Sequence, residues 1–179
     1  MKIKGLLMSL FLLIGLSLSF GSTNVSAEVN IDVNANVVEE ELTQENEDVI
    51  DIVESYTYLD DEGNKRFNIE GAQADGVEDY IIEIGYIIES FDSSTQNVYA
   101  RATFLIYGNY CGYGNSGKGK MPTDDLDTAC MYHDYCYVHG GNNTQCNKNF
   151  RARLKAIMNN TSKLSYKYAV AAGAYVVFG

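Results

Sequence analysis

YGNYCGYGNSGKGKMPTDDLDTACMYHDYCY, residues 107–137, joins a glycine-studded loop to a helix-forming segment in which a histidine is followed directly by an aspartate. Glycines at Gly108, Gly112, Gly114, Gly117 and Gly119 let backbone carbonyls turn inward where a side chain would block them. Carbonyl oxygens and the single carboxylate of Asp134 form the hard oxygen set that Ca²⁺ takes at about 2.3–2.6 Å. His133, one residue away, stands where a base beside such an ion would stand. Asp124 is a good N-cap for a helix running to about Tyr137, which puts Cys130, His133 and Tyr137 on one side. Gly140-Gly141-Asn142-Asn143 ends that helix. A second one, over about 144–158, carries Cys146, Phe150, Leu154 and Ile157 on one stripe.

Taken together, these positions resemble the secreted phospholipase A2 family, whose hallmark is a Y-x-G-x-G calcium loop followed by a helix bearing H-D-x-C-Y. The matching residues are Tyr110-Cys111-Gly112-Tyr113-Gly114, then Pro122, Asp124, Asp127 and Cys130, then His133-Asp134-Tyr135-Cys136-Tyr137. The interval from Gly114 to Pro122 is closer to the short insect, bacterial and viral relatives than to the venom and pancreatic enzymes. The resemblance covers roughly residues 98–160. It implies a mainly α fold built on a disulfide-linked antiparallel helix pair with a calcium loop. Four cysteines allow three connectivities and spacing does not choose among them; the resemblance implies Cys111–Cys130 and Cys136–Cys146.

The chemistry implied is calcium-dependent hydrolysis of the sn-2 ester of glycerophospholipids. His133 is then the general base. The carbonyls of Tyr110, Gly112 and Gly114 and the carboxylate of Asp134 are the Ca²⁺ ligands. Asp124 and Asp127 are read as structural caps. The departure is Asn147. The family pattern on the second helix is C-D-x-x-F, whereas this chain reads Cys146-Asn147-Lys148-Asn149-Phe150. An amide oxygen still accepts a hydrogen bond from the histidine, with Tyr137 in support, but the negative charge is gone. The alternative is therefore a catalytically weak or inactive calcium-dependent module that binds lipid or a receptor. A zinc site of Cys130, His133, Cys136 and Cys111 competes on ligand type alone, but i, i+3, i+6 spacing spreads the helical ligands over about 120° of arc and about 9 Å of helix axis.

Outward from the stretch, 179 residues suit one domain plus appendages. Lys2 and Lys4, an apolar run from Leu6 to Leu18 and Val25-Ser26-Ala27 read as an export signal over 1–27, hence a secreted protein with disulfides. The net charge of −11 hides a split: residues 28–95 carry 20 acidic and 2 basic side chains, residues 96–179 carry 4 and 9. Residues 28–94 are read as an acidic N-terminal region, a possible pro-region that masks the site intramolecularly, and 95–179 as the phospholipase A2-like domain. The basic run from Lys148 to Lys155 reads either as a solvated face or as attraction to an anionic phospholipid surface. No nucleic-acid motif accompanies it.

Within the acidic region, residues 28–48 show no sustained period and read as weakly structured. Tyr56 to Ile69 reads as a hairpin with a Gly-Asn turn. From Asp75, apolar residues at Val77, Tyr80, Ile81, Ile84, Ile88 and Phe91 recur at helical spacing, with Asp75 and Glu78 as a capping-box-like start. Residues 93–97 form a polar linker. The apolar tail, 168–179, reads as a third packing element or as an interfacial surface.

Overall fold

The computed structural model describes residues 40–91, 107–112 and 117–179, the Lys118 side chain apart. The export signal, the linker 93–97, the segment 98–106, and Tyr113 and Gly114 in the loop lie outside the described residues. In order, the elements are α1 (Gln44–Ser55), β1 (Thr57–Leu59), β2 (Lys65–Phe67), α2 (Ile69–Ala74), α3 (Asp79–Ser90), α4 (Asp125–Val138), α5 (Asn143–Asn159) and α6 (Tyr166–Val177). The fold is mainly helical and carries two disulfides, Cys111–Cys130 and Cys136–Cys146. No described cysteine is a free thiol, so the thiolate zinc reading falls.

The order of elements corrects three expectations and decides between the two readings of the apolar tail. Residues 44–48 are helical, because Thr43 caps α1 by accepting from the Asn46 amide and Val49, Ile50 and Val53 bury one face. Asn46 is buried too, its side chain donating to Asn159 Oδ1 at 3.0 Å and accepting from the Tyr168 hydroxyl at 2.7 Å. The hairpin is shorter than the sequence suggests: β2 stops at Phe67, and Asn68 instead caps α2. Asp75 does not start α3; it is the C-cap of α2 and accepts from the Tyr56 hydroxyl at 2.8 Å. Glu78 is the α3 N-cap without a side-chain bond. Finally, the apolar tail is a helix, and α6 is buried from Tyr168 to Val176, so that stretch is core and not an interfacial surface.

α3 and α6 pack closely. A Cβ on Gly173 of α6 would come within 2.6 Å of Ile87 Cγ2 on α3, and one on Gly85 of α3 within 2.3 Å of the Phe67 ring. Helices from the acidic segment and from the helix pair share one hydrophobic cluster, in which Val53, Ile84, Ile88, Leu126, Leu154 and Tyr168 are inaccessible. Burying one such aliphatic side chain contributes about 1.5–3 kcal/mol. Ion pairs Glu41–Lys155 (3.2 Å) and Glu45–Lys163 (2.6 Å) run between the acidic and basic parts. Among the described residues no helix is long and apolar enough to cross a membrane.

Candidate active site

The loop before α4 is shaped by one carboxylate. Asp127 is fully buried and accepts from the amides of Asn109 (2.9 Å), Tyr110 (2.7 Å) and Thr123 (2.8 Å). The sequence suggests a cap at this position; the residue is instead the anchor of the loop. Gly108 makes this possible: its φ is +54°, and a Cβ there would meet the Asp127 carboxylate at 2.3–2.5 Å. The chain then doubles back through paired Tyr107 and Cys111 amides and carbonyls at 3.1 and 3.2 Å. Across the loop, Tyr110 donates its hydroxyl to the Lys120 carbonyl (2.7 Å) and Asn109 its side-chain amide to that of Met121 (2.9 Å). Asp124 does cap α4, accepting from the Asp127 amide at 3.0 Å. Burial works to raise the Asp124 pKa, yet that amide, the Tyr107 hydroxyl and Lys167 outweigh it and hold the carboxyl below its ordinary value.

α4 and α5 run side by side, joined by Cys136–Cys146. A Cβ on Gly141 in the connection would touch the Cys136 carbonyl and both sulfurs at 2.6–2.7 Å, so the tight return needs glycine. This register sets His133 of α4 against α5. Its Nε2 lies 3.0 Å from Asn147 Oδ1, which also accepts from the Tyr137 hydroxyl at 2.5 Å. With Oδ1 as acceptor, Nε2 carries the ring proton and Nδ1 is the basic nitrogen. The imidazole stacks on Phe150 (4.3 Å, 12°) and meets Tyr137 and Phe178 edge-on at 4.6 and 4.7 Å. Burial lowers its pKa, and the Asn147 hydrogen bond only partly offsets that.

His133 is only 7% exposed but lines a cavity of about 720 Å³, together with Asp134, Tyr110, Gly112, Phe91, Phe150 and Phe178. The structure thus brings His133, Asp134, Tyr110, Gly112 and Tyr137 to one space and sets Asn147 behind the imidazole; Gly114 is outside the described residues. Asp134 has no hydrogen-bond donor among the described residues, and burial pushes its carboxyl up to about 7. No described backbone amide reaches the carbonyls of Tyr110 or Gly112, whereas that of Cys111 between them is taken. An uncompensated carboxylate beside spare carbonyls fits a hard divalent cation. No group of three or more His, Cys, Asp or Glu side chains suited to a metal occurs among the described residues, so such a site must draw on main-chain oxygens. His139 is exposed and stacks on Tyr135 at 3.7 Å. Phe91 and Phe178 are site residues that the sequence does not single out, since their placement follows from helix packing and not from local pattern.

The sequence model described as Phospholipase A2 matches residues 85–172, beginning inside α3 and upstream of residue 95. The chain is 49% identical over 47 residues to Phospholipase A2-beta of Arabidopsis thaliana, covering 25% of this chain and 32% of that protein. To Basic phospholipase A2 2 of Bungarus caeruleus it is 47% identical over 45 residues, 25% of this chain and 31% of the other. To the Acidic phospholipase A2 homolog taipoxin gamma chain of Oxyuranus scutellatus scutellatus it is 35% identical over 65 residues, 36% of each. The matches span about a third of those relatives' length. No solved structure matches the chain. With the helical fold, both disulfides and the His133–Asp134 pair of α4 beside the loop, residues 85–172 are a phospholipase A2 family domain.

Proposed function

We propose that this protein is a secreted, calcium-dependent esterase that hydrolyses the sn-2 ester of glycerophospholipids at a membrane or micelle surface. The observation that carries this reading is the orientation of His133: Nε2 is occupied by Asn147 at 3.0 Å, which leaves Nδ1 as the base on a cavity wall shared with Asp134 and Gly112. His133 Nδ1 takes a proton from a water whose oxygen adds to the ester carbonyl carbon. The imidazolium keeps its Nε2 proton on Asn147. It then gives the acquired proton to the departing glycerol oxygen as the carbon–oxygen bond breaks, releasing a fatty acid and a lysophospholipid. Phe150 and Phe178 keep bulk water from the ring. Tyr110, Gly112 and Gly114, through carbonyls, and Asp134, through its carboxylate, would hold Ca²⁺. When bound, the ion supplies a Lewis acid for the negative charge that builds on the ester oxygen and a counter-charge for the phosphate.

Fatty-acid release from phospholipid vesicles, measured with millimolar Ca²⁺ and with chelator, tests this. Release that vanishes with chelator and in His133→Gln supports the esterase; release unaffected by either refutes it. Asn147 favours a second reading, a binding module of weak turnover, because no carboxylate backs the imidazole. Calcium-dependent vesicle binding without release would select it. The acidic segment 28–94 is proposed as an intramolecular cover for the basic α5 and the turn that follows it, supported by the Glu41–Lys155 pair on the helix and the Glu45–Lys163 pair on the turn, and 1–27 as an export signal. Tests of that cover need intact chains, since deleting the segment would strip α6 of its partner α3.

A further inference from the structure

The cavity beside His133 is bounded by two phenylalanines that come from far-apart parts of the chain. Phe178 is the C-cap of α6 and Phe91 the C-cap of α3. Phe178 meets His133 edge-on at 4.7 Å, Phe150 at 5.5 Å and Phe91 at 5.7 Å, the last pair at 82°. The rings therefore form a series, His133–Phe178–Phe91, leading away from the imidazole along the cavity wall. Each is fixed at a helix end. The Phe178 amide donates to the Ala174 carbonyl at 3.0 Å and the Phe91 amide to that of Ile88 at 3.1 Å. Lys65 of the hairpin adds a clamp on the end of α6, its Nζ donating to the Val176 carbonyl at 2.6 Å. Phe178 lies beyond residue 172, where the family match ends, so its role has to be read from this chain.

An apolar ligand anchored by its polar end near His133 and Asp134 extends along these rings. We propose that Phe178, with Phe91 behind it, sets the length of acyl chain that the cavity accepts. Edge-to-face rings locked on two helix ends make a rigid wall, whereas aliphatic side chains on a loop would yield. Each methylene that enters the cavity strengthens binding, and each one that the wall excludes stays in water and adds nothing. This inference rests on reading the cavity as an acyl site, which binding tests without requiring turnover.

The experiment is calorimetric titration of the full chain, in Ca²⁺ buffer, with n-alkylphosphocholines of stepwise length below their micellar concentrations. These probes contain no carboxylic ester to hydrolyse. For the wild type, affinity should rise roughly fourfold per methylene, from about 0.8 kcal/mol each, up to a break and then level off. Phe178→Ala should move the break to longer chains by two or more methylenes, making the longest probe bind roughly tenfold or more tightly. Phe178→Leu should give a smaller displacement, and Phe91→Ala should extend the break on its own. A break that stays in place in Phe178→Ala overturns the proposal. If that variant does not fold, an unmoved break in Phe91→Ala does so instead, as does a wild-type series with no break. A displaced break in a protein that releases no fatty acid with Ca²⁺ upholds the length gauge while refuting the esterase reading.

Discussion

Replacing Asp127 by asparagine preserves shape and removes charge at the carboxylate that gathers the backbone amides of the loop before α4. The buried carboxylate takes three backbone amides, from Asn109, Tyr110 and Thr123. In the Asp127→Asn variant, Oδ1 continues to serve Tyr110, but an NH₂ now faces the Thr123 amide, donor against donor. Losing a hydrogen bond to a charged acceptor costs about 1.5–3 kcal/mol, and the buried donor left unpaired about 1–3 more, for a total of roughly 3–6 kcal/mol. At about 2–4 °C per kcal/mol for a protein of this size, the melting temperature falls by roughly 6–24 °C. The Cys111–Cys130 bond still tethers the loop, so the fold survives while the carbonyls of Tyr110 and Gly112 lose their aim. Calorimetric melting with and without Ca²⁺ reads both effects: a lower baseline and the loss of any Ca²⁺-induced rise. A variant melting within about 1 °C of wild type, with that rise intact, would refute the assignment of Asp127 as loop anchor.

Asn147→Asp restores a charge beside Nε2 and should raise turnover on vesicles by roughly tenfold to 10⁴-fold, the upper bound being the cost of the inverse change in a serine-protease triad; an unchanged or lower kcat sinks that role. Gly108→Ala forces a side chain into a +54° φ and against the Asp127 carboxylate, and should destabilise the chain by more than the about 1–2 kcal/mol of a left-handed residue alone, as read from denaturant midpoints. Reversing Glu41 and Glu45 to lysine removes two screens from Lys155 and Lys163 and should tighten sedimentation with anionic vesicles, more at low salt than at high; equal binding to neutral and anionic vesicles argues against the cover. Asp124 has a folded pKa below its unfolded one, so its stabilisation is present above about pH 4 and disappears as pH falls through the lowered value. Acid titration of Asp124→Asn should lack that component; identical acid-unfolding curves would show that the carboxylate contributes nothing.

What can be read in advance is what is local. The α4 start at Asp124, the return at Gly140-Gly141 and the stripe through Cys146, Phe150 and Leu154 all depend on neighbours within a few residues. So does the helix spacing that sets Asn147 against His133 once the disulfide pairing is assumed. Local pattern makes Asp127 a cap, because capping is what an aspartate in a first helical turn usually does; that its carboxylate reaches back to residues 109 and 110 depends on Gly108. Asp75 and Glu78 match a helix-start pattern, yet the Tyr56 hydroxyl and the short α2 claim Asp75 first. α1 hides behind its acidity: its apolar face is narrow, and Asn46 is buried only because Asn159 and Tyr168 supply partners from more than a hundred residues away. Phe91 and Phe178 are legible as apolar but not as neighbours of an imidazole, a relation created by the α3–α6 contact.

That contact has a consequence for swapping parts between relatives. Gly173 admits Ile87 and Gly85 admits Phe67, so hairpin, α3 and α6 interlock through two notches, each cut to a particular projection. A chimera that borrows its N-terminal arm from another chain would seat only if the recipient's last helix kept a bare backbone where the donor's isoleucine lands. The arm and the terminal helix are thus best exchanged as one cassette, even though the histidine they flank belongs to neither.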